Sequence, residues 1–137
     1  MHALSYTLHV VRTPDWMHAA SAPIARREVV NLVEADPELK WSTTEFVDVR
    51  HKNGTIFRLA YIKWHGSSCF LWKQDEIICK NPDEAQTAKM IRMAEALQAI
   101  VVGDDGERYT LRRTLFGRRR VQTILPQAES LSLQSAS

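Results

Sequence analysis

Cys69-Phe70-Leu71-Trp72-Lys73-Gln74-Asp75-Glu76-Ile77-Ile78-Cys79-Lys80-Asn81-Pro82-Asp83-Glu84 decides how this chain is read. Apolar residues flank a polar turn at Gln74-Asp75, which predicts a β-hairpin. The return strand then runs straight into a helix start. Asn81 offers an N-cap side chain, and Pro82 takes the first helical position, where a missing N–H costs nothing. Glu84, at the third helical position, can complete a capping box. With a two-residue turn, Lys73 pairs with Glu76, Leu71 with Ile78 and Phe70 with Cys79. Cys69 then falls opposite Lys80, and because successive side chains alternate between faces, the two thiols face away from each other. They read as a free, partly buried pair in a reducing compartment.

Upstream, Ser5 to Arg12 alternates well enough for a strand, with Tyr6, Leu8 and Val10 on one face. Arg12-Thr13-Pro14-Asp15 breaks it. A helix is predicted from about Pro23 to Ala35, with Ile24, Val29, Val30, Leu32 and Val33 as its buried stripe. Asp36-Pro37 ends it, since a residue before proline is pushed out of the α region. Glu45–Lys52 and Thr55–Trp64 read as strands joined by the hairpin signal Asn53-Gly54, and His65-Gly66-Ser67 turns the chain into the opening stretch. Downstream, a second helix runs from Pro82 to about Ala99, its apolar stripe carrying on through Met90, Met93, Ala94, Leu97 and Val101. Gly103-Asp104-Asp105-Gly106 reads as a turn and Arg108–Leu111 as a last short strand. The order β-α-β-β-β-β-α-β predicts one α+β domain over residues 1–111. It is a single, largely antiparallel sheet with two helices packed on one face, and its other face is left for water or a partner. Residues 112–125 read as an Arg-rich extension and 126–137, small and polar, as a mobile tail.

The 137 residues suit one domain, and 45% hydrophobic with 25% charged residues is an ordinary globular composition. No apolar run approaches the roughly 20 residues that span a bilayer. Met1-His2-Ala3-Leu4-Ser5 lacks the basic-then-apolar layout of a signal peptide, so a cytoplasmic address without membrane contact is expected. The net charge of +2 is unevenly placed: residues 1–100 balance twelve Lys/Arg against twelve Asp/Glu, and five arginines crowd between Arg112 and Arg120.

Catalytic and metal-binding patterns are weak. His2, His9, His18, His51 and His65 form no helical i, i+4 pair, and none sits beside a cysteine at zinc spacing. No glycine-rich phosphate loop or Ser/His/Asp motif is present. Neither a catalytic residue nor a metal nor any other cofactor is therefore assigned. A deep pocket gathering His51, His65 and a carboxylate would reopen the enzyme reading. Asp104, Asp105 and Glu107 are the best candidates for an acidic site, although Gly-Asp-Asp-Gly is also what a tight turn requires. Among four tryptophans, Trp64 and Trp72 lie on strands as packing residues. Trp16 and Trp41 lie in connections, where an aromatic suits a protein-binding hot spot. Arg112, Arg113, Arg118, Arg119 and Arg120, with Phe116 between them, form a basic run able to meet phosphates or an acidic partner.

Several of these stretches resemble a group of small bacterial α+β proteins, many uncharacterised and some regarded as immunity proteins for secreted antibacterial toxins. The likeness lies in Asp36-Pro37-Glu38-Leu39, Leu71-Trp72, Lys80-Asn81-Pro82-Asp83, Lys89-Met90, Ala96-Leu97-Gln98-Ala99, and Gly103-Asp104-Asp105-Gly106-Glu107 with Tyr109. It covers roughly residues 5–110. The resemblance implies a non-enzymatic cytoplasmic protein that binds a cognate toxin and occludes its active site. Asp104, Asp105 and Glu107 would supply charge, and Trp41 or Trp16 an anchor. Nuclease inhibitors tend to be acidic and this chain is not, which points toward other toxin classes. The alternative is a nucleic-acid-associated accessory protein using the 112–120 arginines. A free sheet edge would also permit a homodimer.

Overall fold

The computed structural model describes residues 6–125. The strands are β1 (Thr7–Val11), β2 (Leu39–Arg50), β3 (Ile56–Trp64), β4 (Ser67–Trp72), β5 (Ile77–Lys80), β6 (Ile100–Gly103), β7 (Arg108–Arg113) and β8 (Arg119–Ile124). A short 3-10 segment, Trp16–Ser21, precedes helix α1 (Arg26–Ala35), and helix α2 spans Glu84–Ala96. All eight strands join one antiparallel sheet in the order β2-β3-β4-β5-β1-β6-β7-β8. The architecture is α+β, with more strand than the six expected. The expected tail, 126–137, lies outside the described residues, as do residues 1–5. Among the described residues no helix is long and apolar enough to cross a membrane.

Alternation along the central strand organises the packing. Leu8 and Val10 enter the main core, which also gathers Val29 and Val33 of α1, Met90 and Met93 of α2, and Ile62, Phe70 and Val101 of the sheet. His9 and Val11 therefore point to the opposite face. The opening hairpin has the register read from the sequence: Leu71 lies opposite Ile78, and the Lys73 N–H donates to the Glu76 carbonyl. The thiols do not face apart, however. Ile62 pairs with Phe70 and Trp64 with Ser67, so Ser68 and Cys69 together oppose Lys63 in a bulge. Alternation breaks there, and Cys69 rests against the same core as Cys79, both free.

Other departures have local causes. Helix α2 starts two residues later than the motif suggested. Asp83 is the cap, its carboxylate accepting from the Gln86 N–H, with Gln86 reaching back to Asp83. Asn81 instead adopts φ +50°, and its side-chain oxygen accepts the Tyr6 N–H, tying the helix entry to β1. Helix α1 begins three residues late because the Ile24 backbone is engaged elsewhere: its N–H donates to the Asp75 carbonyl and its carbonyl accepts from the Trp72 indole. Val101 is not helical. Gln98 turns left-handed at φ +55° and releases the chain into β6, which pairs with β1. The Arg12 fork joins these pieces, donating to both Glu28 carboxylate oxygens and to the Leu97 carbonyl at the end of α2. Lys89 does the same at the other end, its buried ammonium donating to Asp36 and Glu38, each at 2.7 Å.

Candidate functional site

The face of the sheet turned away from the main core has a covered half and an open half. His9 sits at the boundary. It is only 4% exposed, and both of its ring nitrogens meet carboxylates: Nδ1 lies 2.5 Å from Glu76 and Nε2 lies 2.9 Å from Asp104. A doubly protonated ring donates to both at once. Burial opposes the charge, but the bonds to Glu76 and Asp104 outweigh it and hold the His9 pKa above its usual value. Trp16 from the 3-10 segment stacks on the imidazole at 4.4 Å and 7°, which also favours the cation.

The acidic turn is woven into this arrangement. Asp104 accepts the Thr7 N–H and its carbonyl accepts the Trp16 indole N–H. Glu107 accepts the Tyr109 hydroxyl and the Asp105 N–H. Burial, together with the bond to Glu107, pushes the Tyr109 phenol up to about 12. Gly103 leaves room beneath them: a Cβ there would displace the Tyr6 hydroxyl and the Glu107 carboxylate. Asp105 alone of the three acids is exposed. Trp41 does not lie in a connection: β2 begins at Leu39, six residues before the expected start, and Trp41 pairs with Ile62 on that strand and packs, half-buried, on the main core.

The open half is a groove of about 580 Å³ floored by Val47, Val49, Leu59, Tyr61, Leu71 and Ile78. Lys73 and Lys80 line it, and Lys40 and Lys63, directly opposite each other on β2 and β3, continue the rim by strand alternation. Among the described residues none of these four lysines is in an ion pair. The sequence contains every element of this face: alternating apolar positions on β2 to β5, and a histidine set inside the apolar run Leu8-His9-Val10-Val11. What it lacks is the strand order that brings His9 against Glu76 and Asp104. His51 and His65 occupy the turns at opposite ends of β3, so no single pocket gathers them.

No family model, curated protein or solved structure matches this chain. Its chemistry is therefore read from geometry alone. His9 has no ring nitrogen left for a substrate proton, since both are spent on carboxylates. The Cys79 thiol, pushed up to about 12 by burial, stays protonated at neutral pH, and burial raises Cys69 too. Among the described residues, no group of three or more His, Cys, Asp or Glu side chains could hold a metal ion. The arrangement makes a rigid internal brace beside an open apolar surface with positive charge at its rim.

Proposed function

We propose that this chain is a non-enzymatic protein-binding module, an immunity protein of the bacterial cytoplasm that neutralises a cognate toxin by occluding its active site. The observation that carries the binding reading is the open groove. Val47, Val49 and Tyr61, half-buried, stand around the buried side chains of Leu59, Leu71 and Ile78, and no described element covers the groove they make, beside lysines that are in no ion pair among the described residues. Such a surface suits a partner segment with apolar side chains and carboxylates around them. The brace beside the groove supports the same reading, because a preorganised surface loses little entropy on docking. Within this proposal Asp104, Glu107 and Trp16 act from behind the interface, holding the sheet face in shape, while the lysines and exposed Asp105 meet the partner. The toxin class rests on the sequence resemblance, and the basic rim favours a toxin whose active-site border is acidic.

Tagged protein incubated with lysate of the source cell should retain one stoichiometric protein at moderate salt. Lys73→Glu with Lys80→Glu, both exposed and free of structural bonds, should lose it without lowering the melting temperature. The retained protein should arrest growth when produced alone and not when co-produced with this chain. Equal retention by the double variant, or a retained protein that is harmless alone, would overturn the proposal.

A further inference from the structure

The stretch after Arg112 forms an arm. Strand β6 pairs with β7 only at Val101–Tyr109 and Val102–Arg108, whereas β7 and β8 pair from Arg108–Ile124 out to Arg113–Arg119. Leu111 and Val121 still rest against the main core. Beyond them the two strands pair with each other, with Glu84 of α2 holding Arg120, and are closed by a turn in which the Thr114 N–H donates to the Arg118 carbonyl and Gly117 adopts φ +80°. Strand β7 continues two residues, about 7 Å at roughly 3.3 Å per residue, beyond Leu111 before the turn that holds Leu115 and Phe116.

Two features of this arm work against the isolated chain. Arg112 lies directly opposite Arg120, and Arg113 opposite Arg119, and like charges facing across a ladder are destabilising. Arg120 is relieved by Glu84, at 2.7 Å. Among the described residues, Arg112, Arg113, Arg118 and Arg119 are in no ion pair. At the tip, Leu115 and Phe116 are 100% and 92% exposed, the most exposed large apolar side chains described. Repelling guanidiniums and bare apolar groups both become favourable against one kind of surface, an anionic one that also offers apolar faces.

We propose that the β7–β8 arm docks into a groove of double-helical nucleic acid. A two-stranded ribbon fits the major groove, which is about 12 Å wide and about 8.5 Å deep. Arg112, Arg113, Arg118 and Arg119, the four without an ion pair among the described residues, meet phosphates of the two flanking strands in bidentate fashion. Leu115 and Phe116 make apolar contact with base edges on the groove floor, such as the thymine methyl. Behind the tip, Thr110 and Gln122 pair across the ribbon and supply hydrogen-bonding side chains that a bilayer would not use. Two apolar residues also present less apolar area than a single acyl chain, which by itself holds a membrane only marginally. This site is separate from the lysine-rimmed groove and does not depend on it.

Fluorescence anisotropy with a labelled 20-base-pair DNA duplex tests the assignment. Four phosphate contacts at about −0.9 each give a log–log salt slope near −3.6, so affinity should fall on the order of a hundredfold between 50 and 200 mM salt. Arg113→Ala with Arg119→Ala, both exposed, should make the slope shallower by about two. Leu115→Ala with Phe116→Ala should weaken binding at every salt concentration and leave the slope alone. Lys73→Gln with Lys80→Gln should change neither. The proposal is overturned if the duplex does not bind at 50 mM salt, or if the groove variant loses as much as the arginine variant. It is equally overturned if the arginine pair matters only for vesicles of phosphatidylglycerol.

Discussion

His9 shows how one residue can be set by neighbours far away in sequence. Glu76 and Asp104 lie 67 and 95 positions away, and each takes one ring nitrogen. The charged ring is favoured in the folded protein despite burial, so its pKa lies above the ordinary value of 6.5. A pKa raised on folding contributes stability that is complete below about pH 6.5 and lost as pH rises through the folded-state value. The melting temperature should therefore fall between pH 6 and pH 9. His9→Gln should melt lower at pH 6 and show a flatter profile, because a neutral amide cannot titrate there. His9→Ala, which leaves Glu76 buried without its cation, should cost about 3–5 kcal/mol at pH 6 in urea unfolding. An unchanged pH profile in His9→Gln would remove the imidazolium from the account.

At the scale of elements, sequence motifs located structures better than they located their ends. The Asn81-Pro82-Asp83-Glu84 signature marks a helix start, but two residues can cap, and the one bound to Tyr6 from across the sheet leaves the task to Asp83. The helix after Met90 was legible from its period; its end was not. Gln98 takes a left-handed conformation that suits glycine, so Val101, now on β6, looked like a continuation of the apolar stripe. Strand β8 was missed because its residues read as solvated charge, and only pairing with β7 makes them a strand. The arm's energetics give a prediction at this scale. Arg119→Glu sets opposite charges across from each other at Arg113, which should stabilise the ribbon by roughly 0.2–1 kcal/mol. Slower amide exchange in residues 112–120 should report it, while the melting temperature of the whole protein moves little.

At the scale of the whole molecule, the first strand is in the interior of the sheet, paired with β5 and β6 from much later in the chain. Hairpins such as β2–β3 form locally around Asn53-Gly54, but β1 can be placed only after those distant strands exist. Its amides, Leu8 to Val11, should therefore exchange only through global unfolding, with protection matching the stability from urea titration. The arm should exchange by local opening, orders of magnitude faster. Exchange of β1 well below the global limit would mean that the sheet opens at its centre.

Taken alone, the sequence determined the α+β class, the central hairpin and its register, the Asn53-Gly54 turn and the two helices. Each of these depends on contacts between residues close in the chain, where period, cap and turn chemistry act directly. Only the tertiary structure decided which strands neighbour β1, that Asp104 faces inward to His9, that the second face carries an open groove, and that the arginine run is a projecting ribbon. Those outcomes depend on pairings across tens of residues, whose closure entropy is recovered only when the sheet is complete. Local pattern contains no record of which distant strand will be there to recover it.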